Sequence, residues 1–178
     1  MMETTLNKLK TINFDNIPSS DVDKLLKYLN KTEPDDEPLS ISTILEAIGF
    51  HSALRCLRAV YGFEKEKLLL NHAYAKEVEH LMPAESRKSL NVLKKYTEGS
   101  ATREDVTLAY KSAAAVARSC VDGDWLTNAA ANVAATAFFG YDTNEVAYEV
   151  ATICVALGGI VPKQKQEDQL REILTLKV

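Results

Sequence analysis

Read as a helix, the stretch HSALRCLRAVYG (51–62) sets His51, Arg55 and Arg58 along one stripe at i, i+4 and i+7. Ala53, Leu54, Leu57, Val60 and Tyr61 fill the rest of its circumference. A narrow cationic stripe on a mostly apolar helix admits three roles. It can pair inside the fold with an acid such as Glu46 or Glu79, because the guanidinium fork matches a carboxylate in two places. It can anchor a partner, since arginine is enriched among the residues that carry interface energy. It can serve catalysis, which is the weakest of the three because no nucleophile or carboxylate pair stands beside it. The narrowness favours internal pairing, as an interface is broader and has an apolar centre. His51, Arg55 and Arg58 are therefore the candidate stripe, structural first and partner-binding second.

Other residues of the right type fall short in spacing. His72, Lys76, Glu79 and His80 share or adjoin one helical face, but the position between the two histidines is a lysine. A helical metal site places its ligands at i and i+4. Cys56 adjoins Arg55, which could activate a thiol. Adjacent helix residues point about 100° apart, however, and Cys56 falls on the apolar side. No G-x-S-x-G elbow is present, Gly158-Gly159 forms no phosphate loop, and DGDW (122–125) lacks the later ligands of a calcium loop. Asp124 reads instead as a helix cap and Trp125 as a packing anchor. The sequence thus predicts no catalytic residues, no metal and no cofactor.

The composition sets the frame for these residues. The chain of 178 residues is long enough to bury a core. Its net charge of −4 and pI of about 5.5 argue against direct nucleic-acid binding, which needs a basic excess. Cys56, Cys120 and Cys154 are scattered without a C-x-x-C pair and read as reduced, mostly buried thiols. The first residues contain no apolar leader, and the longest apolar run, ICVALGGIV, is too short to span a bilayer. These features point to a cytoplasmic protein without a membrane partner.

The elements that must position the candidates are helices. Ser19 or Ser20 reads as the cap of a first helix carrying Val22, Leu25, Leu26 and Leu29. KTEPDDEP (31–38), with Glu33, Asp35, Asp36 and Glu37, reads as a solvated acidic linker. Helices then follow almost without gaps, leaving at Gly49, Gly62, Gly99 and Gly123 and entering at Pro83, Thr102 and Asp124. Thr102 and Asp105 have capping-box spacing. Val106, Ala109, Ala113, Val116 and Cys120 form one apolar stripe, and Val146, Val150, Ile153 and Leu157 another. The expected fold is all-α: a single domain comprising an N-terminal segment and linker (1–38) and a main antiparallel stack (39–178) of about eight to nine short helices in total. Helix starts roughly every 20 residues also suit an array of two-helix repeats.

One resemblance adds to this. The helix ALRCLRAV is followed by EVEHLM, by LNVLKKYTEGSATREDV, by Ala-rich helices, and by a closing Q-x-x-x-L-R-x-x-L tail at Gln166, Leu170, Arg171 and Leu174. This order, from about Leu45 to Leu174, resembles the helical immunity proteins found beside bacterial polymorphic toxins, with similar chains in tailed phages. The resemblance implies a non-enzymatic protein that neutralises a toxin by stoichiometric binding, and it implies no catalytic residues. An inhibitor of a host defence complex, of anti-CRISPR or anti-restriction type, is the alternative within the same class. An enzyme with an unrecognised metal site around His72 and His80 is the alternative outside it.

Overall fold

The structure is a computed structural model that describes residues 2–11, 17–120, 124–139, 143–157 and 163–175. Of these, 77% are helical, and the fold is all-α. Gly123, Gly158, Gly159 and the start of the DGDW stretch lie outside the described residues. The chain gathers into two compact units, Met1–Phe63 with Leu170–Val178, and Glu64–Gln169.

The first unit opens with a two-residue strand, β1 (Glu3–Thr4), antiparallel to β2 (Leu39–Ser40), with Thr4 opposite Leu39. Between them lie α1 (Leu6–Thr11) and α2 (Ser19–Tyr28). Helix α1 is an element that the sequence reading leaves unassigned. Thr5 starts it by accepting the Lys8 N–H on its hydroxyl, and Leu6 and Leu9 are buried at i, i+3. Helix α2 follows Pro18, which occupies the cap position without a side-chain bond, so neither Ser19 nor Ser20 is the cap.

The acidic linker is held rather than simply solvated. Lys31 pairs with Asp35 and with Glu37, while Thr5 and Asn7 donate to the Asp36 carboxylate. After β2 come α3 (Ile41–Ile48) and α4 (Phe50–Cys56), hinged at Gly49. Gly49 receives φ +84°, which a residue with a side chain rarely adopts, and its N–H still closes α3 on the Leu45 carbonyl. The expected single helix over 51–61 stops at Cys56. A 3-10 turn, Leu57–Ala59, tightens its end before Gly62 reverses the chain.

The second unit holds α5 (Glu64–Ala75), α6 (Ala84–Thr97), α7 (Arg103–Ser119), α8 (Trp125–Thr136) and α9 (Thr143–Ala156). Helix α10 (Lys163–Thr175) begins in it. Each helix from α5 to α9 packs on the next, and α9 packs back on α5. That closure is a bundle's. In an open repeat array each repeat touches only its neighbours. Beyond α5 the chain tightens into a 3-10 run, Lys76–Leu81, and Met82, immediately before Pro83, is extended. Pro83 is then the cap residue before α6.

The capping box predicted at Thr102 and Asp105 is present in full, and Asp124 accepts the Thr127 N–H at 3.1 Å. Gly99, at φ +80°, ends α6 with the paired bonds Ser100 N–H to Lys95 and Gly99 N–H to Tyr96. Ala109, Ala113, Ala117, Ala130, Ala131 and Ala134 are buried, and their small side chains let α7 and α8 approach closely. The buried centre of α7 is Ala109–Ala113–Ala117, with Val106, Val116 and Cys120 half-buried at its flanks.

Three buried polar side chains lock this bundle. Asn71 donates its carboxamide to the carbonyls of Ala137 at 3.2 Å and Phe139 at 2.9 Å, closing the end of α8. Tyr74 donates to the Gln166 carbonyl at 3.1 Å, and Gln166 donates its own amide to Ala147 at 3.2 Å. Gln166, the first residue of the closing tail, thus joins α5, α9 and α10.

Candidate functional site

The predicted stripe lies in the first unit. The carboxylate within reach of Arg55's charge is Asp21 of α2, while Glu46 is exposed and Glu79 pairs with Lys76. Asp21 is buried, and Ser52 of α4 donates to its Oδ2 at 2.5 Å while Lys24 reaches Oδ1 at 3.0 Å. Burial pushes this carboxyl up. The Ser52 bond, Lys24 and the charge of Arg55 more than offset that and hold it below the usual range. Arg55 and Arg58 are half-buried, and His51 is exposed and edge-on to Phe50 at 5.2 Å. His51 and Arg58 are both engaged by other groups of the protein.

The remaining sequence candidates separate. His72 is buried in α5, and His80 is exposed beyond it in the 3-10 run. Burial, then Lys76 and Lys94, push the His72 imidazole down to about 4, against the opposing pull of Glu79 and Glu98. Among the described residues, no group of three or more His, Cys, Asp or Glu is placed to hold a metal ion. Cys56 is buried, and burial pushes its thiol up to about 12, with Asp21 adding to the rise and Arg55 opposing it. It is not an activated nucleophile. Cys120 and Cys154 are half-buried rather than buried, and all three thiols are unbridged.

Trp125 is the clearest departure from expectation. As the first residue of α8 it stands 53% exposed rather than packed. It precedes Ala130 by five residues, which at 100° per residue turns it well away from the buried Ala130–Ala134 face.

Trp125 is one of several large apolar side chains left outside on the second unit. Tyr148 is 62% exposed, Val155 54% and Leu157 48%. Tyr148 sits between Val146 and Val150, which are buried, and so faces outward from α9. Leu157, expected in the core stripe, lies just past the last turn of α9 and is exposed.

Glu145 and Glu149 lie together to one side of Tyr148 on α9, Glu149 turned about 100° from it toward the buried edge. They stand at i, i+4, a spacing at which like charges repel. Oε2 of Glu149 is sealed from solvent with no hydrogen-bond partner in the structure. Burial, and secondarily Glu145, push this carboxyl up to about 7. Along the sequence, residues 120–162 contain five Asp and Glu and not one Lys or Arg, although Lys165 of α10 acts on Cys154 of α9. Residues 84–119, covering α6 and α7, carry seven Lys and Arg against four Asp and Glu.

A groove of about 500 Å³ runs between α6 and α7, with Lys88, Lys95, Glu85 and Asp105 on its walls and Val92 and Leu108 on its apolar side. A second, of about 300 Å³, lies across α7 between Tyr110, Arg118, Asn132 and Phe139. The sequence reading passed over both the α9 face and this division of charge. The absence of any cation from 120–162 was the available signal.

Against known proteins, no family model, no curated protein and no solved structure matches this chain. No described helix is long and apolar enough to cross a membrane.

Proposed function

We propose that this protein acts by binding another protein and neutralising it stoichiometrically, in the manner of an immunity protein. One observation carries the reading. On a helical frame locked by buried polar bonds, Trp125, Tyr148, Val155 and Leu157 stand exposed in one stretch of the chain that contains no cation. Tyrosine and tryptophan carry a disproportionate share of interface energy. The sequence resemblance to helical immunity proteins supports the same class. A toxin and a host defence component are both targets of this kind of blocker, and they differ in identity, not in the physics of the contact.

The test is affinity capture of the tagged chain from its source cell, followed by expression of the captured protein alone and together with this chain. A captured protein that arrests growth alone and is harmless in co-expression supports the reading. Arrest that persists in co-expression, with both proteins present, sinks it.

A further inference from the structure

We infer that the pocket between α7 and α8 binds a small aromatic carboxylate, with Arg118 and Asn128 holding the acid group and Tyr110 and Phe139 receiving the ring. The site stands apart from the protein-binding role proposed above and does not depend on it. The pocket, of about 300 Å³, lies wholly in the second unit, and its size is at the lower end for small-molecule sites. Its middle is lined by Ala114 and Ala135, both half-buried, whose small side chains leave room for a flat ring system. The two ends differ in chemistry. Arg118 precedes the last residue of α7 and Asn128 lies in the first turn of α8, so both stand where the chain passes from one helix to the next. Tyr110 is eight residues back along α7, about 12 Å at 1.5 Å per residue, and meets Phe139 from beyond the far end of α8. These two rings are edge to face, with centroids 5.0 Å apart and planes at 70°. A third ring can join them in edge or offset contact.

The polar end selects an anion. Among the described lining residues Arg118 is the sole charged group, and it makes no ion pair among the described residues. Asp124, one turn before Asn128, is spent on capping the N–H and hydroxyl of Thr127. Asn132 donates its carboxamide to the Asn128 carbonyl and to Asn128 Oδ1, both at 3.1 Å. That bond orients the Asn128 carboxamide and leaves its Nδ2 as a donor with no acceptor among the described residues. One guanidinium fork and one amide donor match a single carboxylate, which Arg can grip through two parallel bonds. The α6–α7 groove has no such preference, because Lys88 is already bonded to Glu85 there and Asp105 stands on the same wall.

The experiment titrates the whole chain with 3-phenylpropionate, reading affinity by calorimetry and location by chemical-shift changes. 3-Phenylpropionamide keeps the ring and loses the charge, and acetate keeps the charge and loses the ring. Arg118→Gln removes the cation at an exposed position, and Ala114→Leu fills the middle of the pocket. Lys111→Gln removes an exposed cation of α7 that does not line it. Unchanged melting temperatures verify that the variants fold, and if Ala114→Leu melts lower, Arg118→Gln decides. The expected result is binding of the acid with shifts centred on the pocket. Binding weakens at least about fivefold for the amide, for acetate, in Arg118→Gln and in Ala114→Leu, and is unaltered in Lys111→Gln. Three results overturn the inference. They are no binding of the acid at about 10 mM, equal binding of the amide or of acetate, and equal losses in Arg118→Gln and Lys111→Gln, which would mark a general attraction of anions to α7.

Discussion

Ser52 on α4 donates its hydroxyl to the buried carboxylate of Asp21 on α2 at 2.5 Å, and the charge of Arg55, one turn further along α4, acts on the same group. Arg55 of the cationic stripe thereby stands at the seam between α2 and α4. Removing Asp21 strips the cluster of its centre, whereas removing Arg55 leaves Asp21 still bonded to Ser52 and Lys24. Asp21→Ala should therefore cost about 1–3 kcal/mol in urea unfolding, and Arg55→Ala no more than about 1. Equal costs would mean that Arg55 carries a pairing beyond Asp21. The Asp21 contribution is present above the ordinary carboxylate range and is lost as pH falls through its depressed native value.

Asn71 closes the end of α8 from another helix through a buried bond to Ala137 and a part-buried one to Phe139. Asn71→Leu leaves the carbonyls of Ala137 and Phe139 without these donors, the first inside the core and the second at its edge. The expected loss is about 1–3 kcal/mol per orphaned group at most, concentrated where α8 ends. Hydrogen exchange should show faster opening of the last turn of α8 than of α6. Uniform acceleration across the unit would contradict the local assignment.

His72 is buried as the neutral imidazole, and its native value near 4 lies below the unfolded value of about 6.5. Between those values the unfolded chain binds the extra proton, so stability falls as pH drops from about 6.5 to 4. The whole shift corresponds to about 3 kcal/mol. In His72→Leu the decline over this window should be shallower than in the parent. Parallel curves for the two proteins would refute the assignment.

Glu149 works in the opposite sense. Its native value, raised to about 7, lies above the unfolded carboxylate value, so its contribution is fully present at low pH and is lost as pH rises through about 7. Glu149→Gln should stabilise the protein at pH 8 by on the order of 1–2 kcal/mol, the shift being discounted for partial exposure, and change little at pH 4. Thermal melts at the two values decide the matter. A variant destabilised at pH 8 would show that the ionised carboxylate already has a counter-charge.

Much of the fold is written locally. Thr102 and Asp105, Asp124, Gly49 and Gly99 announce helix ends through groups within a turn of themselves, and these ends stand where the sequence puts them. Features that depend on distant chain were not legible. Asp21 precedes Arg55 by 34 positions, and only the packing of α2 near α4 brings them into range. The 3-10 runs at 57–59 and 76–81 continue a helical pattern in letters but tighten in space.

Residue type misled at Trp125, whose size suggests burial although its angular position on α8 turns it outward. The α9 face was half legible. The lack of cations is plain in the letters, whereas the sealed Glu149 oxygen exists only once α9 is packed.

Stoichiometry tests the proposed function most directly. A fixed amount of the captured partner is assayed for its own activity while this protein is added in steps. A stoichiometric blocker removes activity linearly, with a break at one chain per partner molecule, and native mass spectrometry of the mixture shows a one-to-one complex. Complete loss of partner activity at a tenth of an equivalent or less, with no complex detected, would mean that the protein acts by turnover and would contradict the account.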